Sequence, residues 1–205
     1  MFYTERTMEN SPALSVLIPF FNEEGNVHPV IDEVHAALKG IDFEIICVND
    51  CSGDATSREL AEARDKHPNT VIVFNHVARR GKSAALFTGL KSARGEWVQL
   101  LDGDGQNDPH DTARLWASII APGDTGCGWK LIRTQAFRDL PFFASMHRFL
   151  PALIKRAGWD VREEKVNDRE RLAGVSKYGF IGRLGAGIFD LIGMFWLTRR
   201  GGYGV

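Results

Sequence analysis

The chain has 205 residues, of which 44% are hydrophobic and 25% charged, values that suit one sizeable α/β domain and leave little room for a second. A formal net charge of -1 argues against a general nucleic-acid binder, which would show a basic face. Three cysteines, Cys47, Cys51 and Cys127, form no CxxC pair and imply a reducing compartment, and the N-terminus carries no apolar stretch of a secretory signal.

Apolar runs predict strands at 14–19, 43–48, 70–75 and 96–101, with Cys47 as a small apolar residue inside the second. Helical patterns fit 26–39, 55–66 and 82–93. Continuous apolar strands alternating with helices predict an α/β fold with a mostly parallel sheet covered on both faces. Ligands of such sheets bind beyond the carboxyl ends of the strands. The segments predicted to lie there are Phe20–Gly25, Asn49–Asp54, His76–Lys82 and Asp102–Asp108, and they hold most of the polar residues of interest.

After Pro109 a helix is expected to run to Ile120 and to stop at Ala121-Pro122-Gly123. A loop and short strand follow to Arg133, then a helix over 146–157, a strand near 159–166 and a basic loop over 167–177. The stretch Phe180–Leu197 is nearly apolar but carries Arg183 and Asp190. It reads either as an interfacial helix backed by Arg199 and Arg200 or as a helix packed on the core.

The most informative stretch is Trp97–Leu101 running into Asp102-Gly103-Asp104. Two carboxylates at i and i+2, released from a strand end by a glycine, suit one hard cation such as Mg²⁺ or Mn²⁺ carrying a substrate diphosphate. The competing reading is an acidic turn that closes a strand. An EF-hand loop fails, because Asn107 stands where it needs glycine and Ala113 where it needs glutamate. His76–Ser83 imitates a Walker A loop, but His76 replaces its first glycine, which makes a P-loop NTPase a remote alternative. Asp54 reads as a helix cap, Asp50 as a turn former or a ligand, Lys82 as a solvated helix-start residue or a phosphate contact, and His147 as a satisfied, partly buried histidine.

Six segments in order, Ile18–Glu24, Val48–Thr56, Arg80–Leu86, Leu101–Gln106, Asp124–Gly128 and Arg171–Tyr178, resemble the motifs of family 2 glycosyltransferases, the last two in their dolichol-phosphate mannose synthase branch. The resemblance implies a Rossmann-like GT-A fold and transfer of a sugar, mannose in that branch, from GDP-mannose or a UDP-sugar to a polyprenyl or dolichyl phosphate, with inversion. It implies that Pro19, Phe21, Glu23, Val48, Asp50, Lys82, Asp102, Gly103, Asp104 and Gln106 bind the nucleotide-sugar, and that Asp102 and Asp104 hold Mg²⁺ or Mn²⁺. Arg171, Ser176 and Lys177 would bind donor or acceptor phosphate, and Asp104 and Asp124 would be the catalytic pair. A GT-A domain over 1–179 would then divide into a donor half, 14–108, and an acceptor half, 124–179. Residues 180–205 would form a membrane-interface helix and tail on the cytoplasmic side.

The resemblance breaks at one place. Family members carry a further strand, helix and arginine between the second and third of their acidic motifs, whereas here Asp104 and Asp124 are only twenty positions apart (124 − 104). A helix over 109–120 carries the chain about 18 Å from the metal loop at ~1.5 Å per residue, and three linking residues return at most about 10 Å. The expectation is a GT-A fold lacking one strand–helix unit, with a gap or an exposed edge in its sheet. Transfer would be impaired, and the limiting case is a non-catalytic, membrane-associated remnant.

Overall fold

The structure, a computed structural model, describes residues 11–120, 130–161, 166, 167 and 169. Its elements in chain order are β1 (Leu14–Phe20), α1 (Val27–Ala37), β2 (Phe43–Asn49), α2 (Thr56–Lys66), β3 (Val71–Asn75), α3 (Lys82–Ser92), β4 (Trp97–Leu100), α4 (Pro109–Ile120), β5 (Lys130–Arg133), α5 (Thr134–Arg138) and α6 (Leu150–Arg156), with a 3₁₀ turn at Met146–Arg148. The strands form one sheet in the order β3-β2-β1-β4-β5. The first four are parallel, and β5 runs antiparallel to β4.

The apolar runs of the strands fill both faces of this sheet. On one face Val16, Ile18, Ile45 and Cys47 meet Val30, Ile31 and Val34 of α1, Leu60 of α2 and Leu115 of α4. On the other, Leu17, Ile46 and Val98 meet Leu86 and Leu90 of α3, Phe137 of α5 and Leu153 of α6. Each fully buried Leu or Ile contributes about 1.5–3 kcal/mol, so the two faces together hold the layers in place. Cys47 is fully buried, and burial pushes its thiol far above the ordinary value, which leaves it an inert apolar residue.

Among the described residues β5 pairs directly with β4, from Trp97↔Arg133 to Leu100↔Lys130, and is the outermost strand on that side of the sheet. The short helix α5 was not expected from the sequence. Residues 159–161 and 166 form no strand, and the rest of the strand expected near 159–166 lies outside the described residues. The stretch 180–197 lies outside them as well. No helix among the described residues is long and apolar enough to cross a membrane.

Strand order reverses between β1 and β4, which makes their carboxyl ends the topological switch point of the sheet, the place where such folds open a crevice. A buried carboxylate locks the opposite ends of these strands. Glu44, 1% exposed, accepts from Ser15 Oγ (2.7 Å), from the Arg94 N–H (2.7 Å) and from Arg94 Nε (2.8 Å). Glu44→Gln places a donor where donors already point, and should lower unfolding stability by about 2 kcal/mol in urea titrations. A loss below half that value would show that the network contributes little.

Candidate active site

The loops after the first four strands converge on one cleft of about 190 Å³, lined by Pro19, Phe21, Glu23, Asp50, Arg79, Gly81, Lys82, Asp102, Gly103 and Asp104 together with Phe20. That is below the ~300 Å³ at which small-molecule sites begin, so the described walls account for part of a site. Eight of the residues expected to bind donor or metal are therefore brought together. Val48 is not: it is 2% exposed and packs with Ala85 and Leu86 of α3, a core residue because its strand position faces that helix. Gln106 is beside the cleft but turned away, its Nε2 donating to the Arg169 carbonyl (3.4 Å). Asp124, Arg171, Ser176 and Lys177 lie outside the described residues.

Asp50 is 3% exposed and organises the rim. Its Oδ1 accepts the Arg80 N–H (2.8 Å) and its Oδ2 the Gly81 N–H (2.7 Å). An ionised carboxylate only accepts, so His76 Nδ1, 2.8 Å from Oδ1, carries a proton and donates. The far ring nitrogen, Nε2, meets Thr88 Oγ1 of α3 at 2.9 Å. Backbone amides that a Walker A loop would offer to phosphate are thus consumed by Asp50, a physical reason against the P-loop reading. Gly81 takes φ 86 at the start of α3, a left-handed conformation that suits glycine and aims Lys82 into the cleft.

On the β1 side, Glu23 Oε2 accepts from Asn26 Nδ2 (2.8 Å) and its N–H donates to Thr56 Oγ1 (2.8 Å). The Arg79 guanidinium lies over the Phe21 ring, 4.0 Å from its centroid. Asp54 accepts the Thr56 N–H (3.0 Å) and the Glu24 N–H (3.2 Å), tying the start of α2 to the β1 loop, but the cap position expected for it belongs to Ala55, which makes no side-chain cap.

The acidic loop is shaped by Gly103. A Cβ there would lie 2.5 Å from a ring carbon of Phe20 and 3.0 Å from the Pro19 carbonyl, so the loop can pass across the end of β1 only without a side chain. Asp104 is 7% exposed and accepts the Gln106 N–H (3.2 Å). Asp102 is half-exposed and paired with the ammonium of Lys82. Two carboxylates in one cleft, one of them already drawing a cation, form an oxygen-only donor set that fits Mg²⁺ or Mn²⁺.

Four polar residues of this neighbourhood escape a reading by motif. Arg79 adjoins Arg80 with nothing in the spacing to choose between them, and His76 drew notice only as a missing glycine. Ser83 Oγ, in the first turn of α3, meets His147 Nδ1 at 2.8 Å, so His147 is indeed a satisfied histidine, and one that joins the two halves of the chain. Arg169 clasps Glu33 of α1 (2.6 and 2.9 Å) and the Asn107 carbonyl (2.9 Å), while its N–H donates to the Gln106 carbonyl (2.9 Å).

The sequence pattern described as Glycosyl transferase family 2 matches residues 15–203. The chain belongs to this family. It is 28% identical over 228 positions to a dodecaprenyl-phosphate galacturonate synthase of Rhizobium johnstonii, covering 91% of this chain and 67% of the relative. It is 29% identical over 133 positions to a dolichol-phosphate mannosyltransferase of Pyrococcus furiosus, covering 65% of this chain and 37% of the relative. The chain thus spans from about a third to two thirds of these relatives' length. Among solved structures, a mannosyltransferase from Pyrobaculum calidifontis in complex with GDP-Man and Mn²⁺ superposes with a TM-score of 0.74 at 19% identity, covering 97% of this chain and 67% of that one. A glucosyl-3-phosphoglycerate synthase from Mycobacterium tuberculosis, with Mn²⁺ and UDP, gives 0.69 at 18% identity, covering 97% and 86%. These likenesses establish the GT-A fold.

Gly103→Ala should push Phe20 from its place and cost about 1–3 kcal/mol of stability by calorimetry, with weaker nucleotide binding. An unchanged melting temperature would show that the loop can step aside. Burial works to raise the Asp108 pKa, but hydrogen bonds from the His110 N–H and ring, with Arg169 nearby, outweigh it and hold the carboxyl below the ordinary 3.8. A lowered folded-state pKa adds stability that is complete above about pH 4 and is lost as pH falls through the folded value. Asp108→Asn should therefore flatten the stability–pH curve below pH ~4 and leave its slope near pH 7 unchanged.

Proposed function

We propose that this chain transfers a sugar from a nucleoside-diphosphate donor to a polyprenyl phosphate with a divalent cation at Asp102 and Asp104. The observation that carries the reading is the convergence of both carboxylates with Pro19, Phe21, Glu23 and Asp50 in one cleft at the switch point of the sheet. In this reading Phe21 and Pro19 supply an apolar face for the nucleoside, and Glu23 accepts hydrogen bonds from base or ribose. Asp50 acts mainly by holding the loop that presents Lys82. Asp104 keeps its carboxylate at the floor of the cleft, and Gly103 lets backbone approach the donor. A bound Mg²⁺ or Mn²⁺ neutralises charge on the leaving diphosphate. The acceptor is a phosphate already ionised at neutral pH, so positioning supplies much of the catalysis, with Arg171, Ser176 and Lys177 assigned to phosphate and Asp124 to the reacting centre.

The relatives' names share the polyprenyl phosphate and differ in the sugar: galacturonate, mannose, or 4-deoxy-4-formamido-L-arabinose. The acceptor class is therefore better supported than the sugar. Mannose rests on the resemblance to the mannosyl branch, and galacturonate on the Rhizobium relative, which matches 91% of this chain. A lipid acceptor also places the chain at a membrane surface.

A second reading has its own support. The match to the Rhizobium relative spans 228 positions, more than the 205 residues of this chain, so the relative carries residues with no counterpart here. That agrees with a lost internal segment and with a protein that binds donor but transfers poorly.

A panel of GDP- and UDP-sugars with Mn²⁺, assayed by calorimetry and by transfer to polyprenyl phosphate in vesicles, separates the readings. Transfer from one donor is expected under the first, and micromolar donor binding without transfer under the second. Failure to bind any donor would remove both.

A further inference from the structure

Four carboxylates line the cleft among the described residues: Glu23, which accepts from Asn26 Nδ2, and three that are each engaged differently. Asp50 is buried and bound by two backbone amides and a histidine. Asp104 is buried at the cleft floor. Among the described residues the Asp102 carboxylate is held by the ammonium of Lys82, with side-chain exposures of 43% and 38%. An ion pair so solvated is weak and screened, hence exchangeable, and a lysine ammonium on its four-carbon stem can swing through several ångströms. Its base does not move with it, because Lys82 is the first residue of α3 and Gly81 before it is tied to Asp50. Arg79, the other cation among the described lining residues, is stacked on Phe21. Lys82 is therefore the cation placed on the acidic loop.

We propose that Lys82 is an exchangeable counter-ion of this cleft: it neutralises Asp102 while no ligand is bound, yields Asp102 to the divalent cation, and moves its ammonium to the diphosphate of the incoming nucleotide. The exchange presupposes that the cleft takes a metal-bound sugar nucleotide. Charge dictates its consequence. With Lys82 in place the acidic loop is slightly negative. A divalent cation alone would leave two cations competing for one patch, and a diphosphate alone would meet two carboxylates. Bound together they restore the resting balance, with the displaced ammonium forming a charge-assisted hydrogen bond to phosphate oxygen. Metal and nucleotide then bind as a coupled pair, and the free protein holds either one weakly. Coupling of this kind is reciprocal.

The test measures Mn²⁺ binding by electron paramagnetic resonance, and GDP and UDP binding by calorimetry, in the wild-type chain and in Lys82→Met and Lys82→Gln. Asp102→Asn reports which bound Mn²⁺ belongs to this cleft. Removing the ammonium should tighten Mn²⁺ alone by about three- to tenfold and weaken the nucleoside diphosphate measured with Mn²⁺ by about tenfold, so that the coupling between the two ligands shrinks. Circular dichroism melts keep the folded state of each variant in view. Wild-type coupling with Mn²⁺ affinity unchanged or weaker in both variants would overturn the exchange and leave the sugar-nucleotide site standing. A wild-type chain that binds neither ligand, with Asp102→Asn indistinguishable from it, would overturn both.

Discussion

The candidate site depends on one carboxylate. Asp50 at the end of β2 draws in the amides of Arg80 and Gly81 and the ring of His76, and through His76 it reaches Thr88 on α3. Four hydrogen bonds in sequence thus join β2, the loop after β3 and the helix that follows. Charge-assisted bonds of this type, in a nearly water-free place, are worth more than their exposed counterparts. The loop loses its backbone donors as possible ligands and gains a fixed shape. An anion arriving at this rim meets side-chain cations and the acidic loop, since the Arg80 and Gly81 amides are already occupied. That is a different chemical solution from the phosphate-wrapping loop it imitates in sequence.

Sheet topology supplies the other half of the constraint. Because β1 lies between β2 and β4, the loops carrying Phe21, Asp50 and Asp102 emerge as neighbours although 81 positions separate Phe21 from Asp102 in the chain. Crossing the end of β1 brings the acidic loop against the ring of Phe20, which is fully buried, and this contact dictates glycine at position 103. Packing, not metal binding, selects that residue. The same packing fixes the spacing of the two carboxylates on either side of it.

What could be read from the sequence follows the range of the forces involved. Strands such as Leu14–Phe20 and Phe43–Asn49 are long apolar runs whose burial on both faces leaves no other assignment, and their order along the chain led directly to the parallel sheet. The acidic loop and its neighbours were legible because strand ends are where such sheets place ligands. Val48 was misread because it lies two residues before Asp50 in sequence, whereas β2 ends at Asn49 and Val48 is still inside the strand, buried against α3. Arg169 and the Ser83–His147 contact were invisible for another reason. Their partners lie 136 and 64 positions away, and a single polar pair leaves no periodic trace. The short α5 was missed because five residues carry too little pattern to register.

Those long-range polar ties decide how the described residues from 130 onward are held. Their ladder connection to the rest of the sheet is slight: four residues of β5 on four of β4. Apolar packing of α5 and α6 against α3 fixes one side. On the other side the described residues return through Val166, packed on the core, and through polar contacts, Asn167 N–H on Asp111 (2.6 Å) and the Arg169 clasp on Glu33 and Asn107. Glu33 lies on α1, Asp111 on α4, and Asn107 belongs to the acidic loop itself, accepting the next contact in from Asp102 through its side-chain oxygen (2.9 Å). Holding Arg169 there leaves its Nε buried without a partner among the described residues, a cost that the remaining four bonds must offset. A chain that bears that cost gains a mooring for residue 169 beside the acidic loop, since Arg169 bonds both Gln106 and Asn107.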